Sequence, residues 1–338
     1  LQQIKNQKDF ISKNLGLNLK VLGISNSKKM LISKQEIDLN NWSKVLTNSD
    51  TKADKDFFQK TIIELNRRNS LFIDNTASET IPLTYNSYLK NGIGVITCNK
   101  ISNSGTLDKY KELRKLSRRN NAAFLYETNV GAALPVISTL KNLINSGDKI
   151  LKIEAVLSGT LNYIFNNFQE EDTFHDIVSH AVKLGYTEPD PKIDLCGVDV
   201  SRKILILARE SGFNLEYDEV EKNHFLPTES INTDSKDEFI LSLKNNKDHF
   251  NRILNDAKEK NCRLKFVAKL DNGKASVGLE AVPNDHPFYN LVGSDNITVF
   301  FTERYKESPL VVKGAGAGGE FTASGVFADI IKASQENG

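Results

Sequence analysis

Hydrophobic and polar positions follow different patterns in the two halves of the chain. In the first half, short apolar runs alternate with longer stretches of helical spacing, FFQKTIIELNRRN and YKELRKLSRRN among them. The apolar runs are LKVLGI at 19–24, LFIDNT at 71–76, IGVITC at 93–98 and AFLYE at 123–127. Strands that alternate with helices predict a doubly wound parallel sheet with right-handed crossovers.

The second half predicts an α+β domain. LPVISTLKNLINSG predicts a helix that ends at Gly147, and TLNYIFNNF predicts a helix with Ser158 and Thr160 as cap candidates. Strand-like runs are ILKIEAVLSG, RLKFVAKL, KASVGLEAV, NITVFFTERY and PLVVKG. They predict a mixed or antiparallel sheet. The polar segment from about Glu216 to Asp248 contains no glycine and is interpreted as a peripheral excursion.

The predicted fold class is α/β, an incomplete Rossmann-like doubly wound parallel sheet plus an α+β domain. We expect a nucleotide-binding domain at 1–128, completed by about 315–338, and a second domain at 129–314. A dinucleotide-binding unit begins with a strand and a G-x-G-x-x-G loop. The chain instead opens with a helical pattern, and its only methionine is Met30. We therefore expect the first strand and the glycine loop to lie upstream.

The composition of the 338 residues argues against several kinds of partner. The chain has 44 lysine and arginine residues against 43 aspartate and glutamate residues, which favours neither nucleic acid nor an anionic membrane. No apolar run approaches the roughly 18 residues of a membrane span. Three scattered cysteines suit a reducing compartment, and the five histidines show no zinc-binding spacing. We expect a cytoplasmic protein with a small-molecule partner.

Acidic and basic side chains are concentrated between Gly185 and Lys203, in the sequence GYTEPDPKIDLCGVDVSRK. Prolines after Glu188 and Asp190 bias both acids toward extended backbone, so a stiff loop is expected to present their carboxylates. The sequence then becomes apolar with helical spacing, which places Asp199 and Lys203 on one face of a helix.

The Asp199–Lys203 pair has two interpretations. An ordinary surface ion pair at this spacing stabilises a helix by about 0.3–0.5 kcal/mol. Acids that converge beside a lysine can instead bind an ammonium group and exchange a proton with an oxygen. The acids in the preceding loop favour chemistry over the surface pair.

Glycines are also concentrated near the end of the chain, in KGAGAGGEFTASGVFADIIK. This cannot be the phosphate loop of the predicted sheet, because such a loop belongs to the first strand–helix turn. Gly316 and its neighbours allow close backbone approach to a ligand or simply form a glycine-rich connection between domains. Both interpretations remain open.

Several motifs together carry a resemblance to homoserine dehydrogenase, in particular to the dehydrogenase part of bifunctional aspartokinase–homoserine dehydrogenases. The motifs are GISNSK at 23–28, DNTAS at 74–78, TCNK at 97–100, YETNVGAALP at 126–135, LSGTLNYIFN at 157–166, GYTEPDPKIDLCGVDVSRK at 185–203 and GAGAGGEFTASGVFADII at 314–331. The resemblance covers almost the whole chain. It implies NAD(P)-dependent interconversion of L-homoserine and L-aspartate 4-semialdehyde in threonine, methionine and isoleucine biosynthesis. It also implies a linked upstream aspartokinase and a homodimer or higher homo-oligomer.

The resemblance assigns catalytic and substrate-binding roles to individual residues. Lys203 resembles the family's proton-transfer lysine, Asp199 its acidic neighbour and Lys100 a second catalytic lysine. Loss of hydride from an alcohol carbon requires loss of the hydroxyl proton, so a lysine within hydrogen-bond reach is useful. The substrate-binding residues by resemblance are Glu188 and Asp194 for the ammonium group, with Gly159, Thr160 and Tyr186 around them. A helix cap remains the other role for Thr160, and a buried aromatic the other role for Tyr186.

For the cofactor, Asn26, Ser27 and Lys28 stand where an acid would mark an NAD-specific ribose contact. A lysine and small polar groups can receive a 2′-phosphate, so NADP is favoured, with NAD and a merely solvated Lys28 left open. The resemblance places Thr76, Ala77 and Ser78 near the nicotinamide.

The segment ETNVGAALP resembles the family's monovalent-cation loop. By this resemblance, sodium is held by the backbone carbonyls of Glu127, Val130, Ala132 and Leu134. A tight turn before a helix, with Pro135 in its first turn, is the alternative.

Two departures from the family pattern affect the expected site. Lys192 and Ile193 precede Asp194 where the family often has an acid, and Ile101 follows Lys100 where another lysine is common. Two other functions also stay open. One is a nicotinamide-dependent oxidoreductase for another amino-acid-like aldehyde or keto acid, and the other is a catalytically silent dimerisation or regulatory fragment.

Overall fold

The computed structural model describes residues 1–336, which form two compact units. The first unit comprises Leu1–Ser102, Asp108–Tyr126 and the helix residues from Thr322 onward. The second unit comprises Asn103–Leu107 and Glu127–Phe321.

The helices and strands follow one another in mixed order along the chain. The helices are α1 (Gln2–Leu15), α2 (Trp42–Thr47), α3 (Lys55–Leu65), α4 (Tyr85–Lys90), α5 (Ile101–Ser104), α6 (Leu107–Arg119), α7 (Val136–Asn145), α8 (Gly159–Asn167), α9 (Phe174–Lys183), α10 (Pro191–Leu195), α11 (Val198–Glu210), α12 (Thr228–Ile231), α13 (Lys236–Asn245), α14 (Lys247–Glu259) and α15 (Gly319–Glu336). The strands are β1 (Gly23–Ser25), β2 (Met30–Ile32), β3 (Leu71–Asp74), β4 (Gly94–Thr97), β5 (Phe124–Leu125), β6 (Ile150–Val156), β7 (Glu221–Asn223), β8 (Arg263–Asp271), β9 (Lys274–Val282), β10 (Asp295–Thr302) and β11 (Leu310–Ala315). Short 3-10 turns span Ile81–Thr84, Glu127–Asn129 and Tyr217–Glu219.

The first unit contains the parallel sheet that the sequence predicts. Strands β3, β4 and β5 pair in this order and in parallel, with Leu71 opposite Gly94 and Val95 opposite Phe124. The C-terminal helix α15 packs on the core of this unit, because Val326 and other apolar residues of the helix cluster with Ile96. The doubly wound α/β class is confirmed for this part of the chain.

The predicted parallel strand at 19–24 is wrong. The only paired strand there is β1, which pairs antiparallel with β2 in a separate two-stranded sheet. Asn26 explains the hairpin, because its Oδ1 accepts the backbone N–H groups of Lys28 and Lys29, both at 2.8 Å. A side chain that closes its own turn in this way reverses the chain direction, which periodicity alone does not reveal.

A buried polar network ties together the loops that follow β3 and β4. Asp74 is 1% exposed, and its Oδ2 accepts the hydroxyl of Tyr85 at 2.5 Å and the Nδ2 group of Asn99 at 3.3 Å. Asn99 Nδ2 also donates to the Ser78 carbonyl at 2.8 Å. The carboxyl ends of parallel strands are where open α/β sheets bind ligands. The network therefore fixes two neighbouring loops at a ligand-binding edge.

The second unit is built on a six-stranded sheet of order β11-β10-β6-β8-β9-β7. Its neighbouring strands are antiparallel, except that β7 runs parallel to β9. The predicted mixed sheet is confirmed. Because β6 pairs with β10, the chain leaves β6 directly beside a strand that is much later in the sequence.

The segment from Glu216 to Asp248 is part of the core of the second unit, so its interpretation as a peripheral excursion is wrong. It contains α12 and α13 and the start of α14, and both α13 and α14 pack against α9. Phe239 and Leu243 are 0% and 1% exposed. They lie four residues apart, so a polar segment still carries one apolar helix face. Among the described residues, no helix is long and apolar enough to cross a membrane.

Candidate active site

The turn from α10 to α11 sets the direction of the helix that carries Lys203. Asp190 caps α10, because its Oδ1 accepts the N–H of Lys192 at 3.0 Å, and Pro191 occupies the first turn. Asp190 is thus used by a helix end, contrary to the expectation that the loop presents its carboxylate. Gly197 then starts α11 at φ 68°, and a Cβ there would lie 2.6 Å from the Phe266 ring.

Lys203 is buried, at 8% exposure, and the partners of its ammonium group include a carboxylate and a main-chain carbonyl. Its Nζ lies 2.8 Å from Asp199 Oδ2, one helical turn earlier, and donates to the Leu157 carbonyl at 2.6 Å. Leu157 directly follows β6. A buried ammonium needs such compensation, because burying an unpaired charge is costly. The pair therefore joins a buried ammonium to a carboxylate that is half exposed, which differs from a fully exposed surface pair.

Asn296 contacts the same carbonyl and was not anticipated from the sequence. Its Nδ2 group lies 3.3 Å from the Leu157 oxygen and 3.5 Å from the Gly316 oxygen, while its Oδ1 is buried without a hydrogen-bond partner among the described atoms. A Cβ on Gly316 would lie 2.0 Å from Asn296 Cγ. The glycine is thus required by this packing, whether or not a cofactor also approaches it.

Glu188, in the loop before α10, contacts Asp194 near the end of that helix. The backbone N–H of Glu188 donates to Asp194 Oδ2 at 2.8 Å. Burial, together with the carboxylates of Glu188 and Asp199, raises the pKa of Asp194 to about 6, against the opposing effect of hydrogen bonds from the Glu188 N–H and Thr160. Three converging carboxylates form a site suited to a cation such as an ammonium group.

The residues around these acids include Gly159, Thr160 and Tyr186. Ser158 caps α8 by accepting the Leu161 N–H at 3.1 Å, so the cap role for Thr160 is wrong. Thr160 Oγ1 instead donates to the Tyr186 carbonyl at 2.5 Å. Tyr186 is 48% exposed, so it is not a buried aromatic. The Thr160 hydroxyl also interacts with the Asp194 carboxyl, so Thr160 links Tyr186 to the acids.

Lys100 and the predicted cofactor-binding residues other than Gly316 lie in the first unit. Lys100 directly follows the loop after β4, and Thr76, Ala77 and Ser78 follow β3. The Thr76 N–H donates to Asp74 Oδ1 at 2.8 Å, which orders that loop. In the hairpin between β1 and β2, Ser27 and Lys28 are exposed, and Asn26 holds the turn.

The predicted cation loop is buried and contains an unusual backbone conformation. Gly131 and Ala132 both have positive φ, 82° and 52°, the second being strained for a residue with a Cβ. The side chain of Glu127 caps α7 by accepting the N–H groups of Ile137 and Ser138. Burial raises the pKa of this carboxyl, and those hydrogen bonds oppose the shift. Pro135 is the N-cap residue of α7, one position before the predicted first turn.

One buried side-chain oxygen of this loop could serve an ion that prefers oxygen ligands. Thr128 Oγ1 is buried without a hydrogen-bond partner among the described atoms. Buried polar groups are normally satisfied, so an unsatisfied oxygen in a strained loop calls for a ligand.

Comparison of the sequence with protein families identifies both halves of the chain. The profile described as "Homoserine dehydrogenase" matches residues 135–331, and the one described as "Homoserine dehydrogenase, NAD binding domain" matches residues 1–127. The chain belongs to the homoserine dehydrogenase family. Homoserine dehydrogenases are NAD(P)-dependent oxidoreductases, so the lysine–carboxylate cluster of the second unit lies in the family's catalytic half.

The chain is similar to both fused and unfused proteins of this family. It is 44% identical to the chloroplastic bifunctional aspartokinase/homoserine dehydrogenase 2 of Zea mays, over 98% of this chain and 36% of that protein. It is 39% identical to the homoserine dehydrogenase of Schizosaccharomyces pombe, over 98% of this chain and 91% of that protein. The chain thus spans little more than a third of the bifunctional relative's length.

Solved structures share the fold. A Candida auris protein of unknown function superposes with a TM-score of 0.87 at 34% identity, covering 96% of this chain and 94% of that one. A hyperthermophilic archaeal homoserine dehydrogenase in complex with NADPH superposes with a TM-score of 0.72 at 26% identity, covering 96% and 92%.

Proposed function

We propose that the chain interconverts L-homoserine and L-aspartate 4-semialdehyde, in the biosynthesis of threonine, methionine and isoleucine. The observation that carries the proposal is the buried Lys203 ammonium, held between Asp199 and the Leu157 carbonyl in the same unit as the Glu188–Asp194 pair. Family membership supports the substrate, since an amino alcohol offers both an ammonium group for the acids and a hydroxyl for the lysine.

In this proposal, the residues of the chain bind the substrate and move one proton. When bound, the oxidised cofactor NADP⁺ would supply the hydride acceptor for the alcohol, and the reduced cofactor NADPH would supply the hydride donor for the aldehyde. As the neutral amine, Lys203 Nζ accepts the hydroxyl proton during oxidation; as the ammonium, it gives a proton to the carbonyl oxygen during reduction. Glu188 and Asp194 hold the substrate ammonium, while Gly159, Thr160 and Tyr186 surround it. Asp199 orients Lys203, and Lys100 serves as the second catalytic lysine.

We assign cofactor binding to the first unit, with NADP preferred over NAD. The Asn26 turn leaves Lys28 exposed beside Ser27, whereas Lys29 Nζ donates to the Ser49 carbonyl at 2.5 Å. Lys28 is therefore the available partner for a 2′-phosphate. Thr76, Ala77 and Ser78, in the loop tied to Asn99, contact the nicotinamide end in this assignment, and Gly316 approaches the cofactor through its backbone. The archaeal relative with NADPH supports this assignment.

The same proposal divides the chain by role. Residues 1–128, completed by 315–338, form the nucleotide-binding domain, and residues 129–314 form the catalytic and dimerisation domain. We also propose a homodimer or higher homo-oligomer, a linked aspartokinase and a cytoplasmic location. Light scattering on the purified protein and microscopy of a fluorescent fusion would test these, although the plant relatives are chloroplastic by name.

We further propose that the backbone carbonyls of Glu127, Val130, Ala132 and Leu134 hold a sodium ion. The buried loop, its strained Ala132 and the orphaned Thr128 Oγ1 support this proposal. The ion would stabilise the loop that leads into α7, which makes its effect structural.

Replacing sodium by a large organic cation is expected to lower the thermal midpoint, because a bound ion stabilises only the folded state. The measurement is the midpoint in sodium chloride against N-methyl-D-glucamine chloride at equal ionic strength. The same two midpoints are measured for Thr128→Val, a variant that keeps the shape of the side chain and removes the buried oxygen without a partner. A midpoint insensitive to the cation in the wild-type protein would contradict the site.

The full-length protein is expected to reduce NADP with L-homoserine and to prefer homoserine over serine, threonine and malate. Nicotinamide absorbance in a substrate panel, run with NADP and with NAD, measures this. Lys28→Ala should raise the KM for NADP several-fold without changing that for NAD, whereas Lys34→Ala, an exposed lysine in the same segment, should change neither. Turnover of another amino alcohol without turnover of homoserine would refute the proposed substrate.

A further inference from the structure

Lys265, on β8, is fully buried and has no part in the proposed proton transfer. Its Nζ donates to three neutral oxygens: Asn162 Oδ1 at 3.1 Å, Asn166 Oδ1, and the Leu291 carbonyl at 2.6 Å. The ammonium form has three N–H groups, which match these three oxygens in number. Glu280, opposite Lys265 on β9, pairs with Lys269 at 2.7 Å.

The charge of this ammonium is maintained at neutral pH. Burial, with a smaller contribution from the charge of Arg263 on the same strand, lowers the pKa of Lys265 to about 8. Below that pH the ammonium form carries all three hydrogen bonds. Burying it without a carboxylate partner is unfavourable, so an apolar side chain in β8 would be the simpler choice for stability alone.

Lys265 determines which way two amide side chains face. Asn162 and Asn166 lie one turn apart on α8, and each turns its oxygen toward the ammonium. Their Nδ2 groups consequently point the other way and donate to the Gly293 carbonyl at 3.1 and 3.2 Å. Asn162 also donates to the Asp295 carbonyl at 3.2 Å. Through the hydrogen bonds of these two asparagines, the lysine holds residues 293–295 against α8.

Residues 293–295 are connected to Lys203 through the residue that follows them, Asn296. Ser294 packs against Gly159 so closely that a Cβ on Gly159 would lie 3.0 Å from the Ser294 oxygen. The next residue but one, Asn296, donates to the Leu157 carbonyl, which also accepts the Lys203 ammonium. A continuous set of hydrogen bonds and backbone thus joins Lys265 to the proton-transfer lysine.

We propose that Lys265 is a positioning residue for the reaction: by orienting Asn162 and Asn166 it holds residues 293–296 against the start of α8, and so sets Asn296, the Leu157 carbonyl and Lys203 in place. The inference rests on the proposed function. It assigns to a lysine on the sheet an effect on turnover that it exerts without contact with the substrate.

The test uses Lys265→Met, which keeps the length and removes the charge and donors, together with Lys265→Arg, which retains both. Lys274→Met, at the exposed start of β9, is the matched control. Misplacing a catalytic group by as little as 1 Å lowers rates by about a hundredfold, so kcat for homoserine should fall between tenfold and a hundredfold in Lys265→Met. The KM for NADP should not change. Lys265→Arg should recover most of the loss, and Lys274→Met should match the wild type.

A double-mutant cycle separates positioning from packing. Asn296→Ala breaks the same path further along, so adding Lys265→Met to it should lower kcat little beyond the larger single effect. Should Lys265→Met fold poorly, Asn166→Ala replaces it in the cycle. A Lys265→Met protein with a lower thermal midpoint but wild-type kcat and KM, or effects that multiply in the double variant, would overturn the inference. Absence of homoserine turnover in the wild type would instead refute the proposed function.

Discussion

Replacing Lys203 by alanine is expected to lower kcat for homoserine by about 10²–10⁴-fold and to leave its KM nearly unchanged. Positioned proton transfer contributes that much to a rate, and Lys203 is the group assigned to it. Its partners Asp199 and the Leu157 carbonyl remain after the substitution, and the acids that bind the ammonium are untouched. Steady-state kinetics in both directions measure the loss, and it should appear equally in kcat and kcat/KM.

The control is Lys244→Ala, a helical lysine on α13 outside the site, which should keep wild-type kinetics. Circular dichroism and the thermal midpoint should show that Lys203→Ala remains folded. A folded variant with wild-type turnover would exclude Lys203 as the proton-transfer group. An unfolded variant would indicate a structural role for the Asp199–Lys203 pair. Lys203→Met would then be used to separate this structural role from a role in proton transfer.

Asp194→Asn is expected to raise the KM for homoserine by about 10- to 100-fold, because a charge-assisted hydrogen bond contributes about 1.5–3 kcal/mol. The amide keeps the shape of the carboxyl and can still accept the Glu188 N–H, so the loop should stay in place. Glu171→Gln, an exposed acid after α8, is the matched control and should leave KM unchanged.

The same carboxyl gives the reaction a defined pH dependence. Because burial and the neighbouring acids raise the pKa of Asp194 to about 6, the group is ionised above that pH and neutral below it. The wild-type kcat/KM for homoserine should therefore fall as pH drops through about 6. A bound ammonium favours the ionised carboxylate, so kcat should be less affected. An acid limb that persists unchanged in Asp194→Asn would assign the titration to another group.

Local patterns in the sequence predict the helix of the site but not the groups that meet it. Helical spacing places Asp199 and Lys203 on one face of α11, and the structure has them there. Asn296 and Leu157 are 139 residues apart and meet because β10 pairs with β6. Strand pairing over such a distance has no local signal, so only the structure reveals what surrounds the ammonium.

Side-chain hydrogen bonds that close turns account for other differences between sequence and structure. Asn26 folds back on its own loop and converts an expected parallel strand into a hairpin. Asp190 caps α10, although the prolines alone suggest a presented carboxylate. Lys265 is a charged residue within the strand-like run RLKFVAKL, yet it is fully buried and donates to residues of α8 and to the Leu291 carbonyl. Each case depends on contacts that residue type alone leaves undetermined.

Leu157 contributes to the site through its main-chain oxygen, while its side chain is packed in the core at 0% exposure. Every amino acid carries that oxygen, so no codon change removes it. Side-chain substitutions at Leu157 consequently test its packing in the core. Even if they are tolerated, they do not test the role of its carbonyl oxygen. Only an altered backbone, such as an amide-to-ester replacement at the following peptide bond, addresses the acceptor itself.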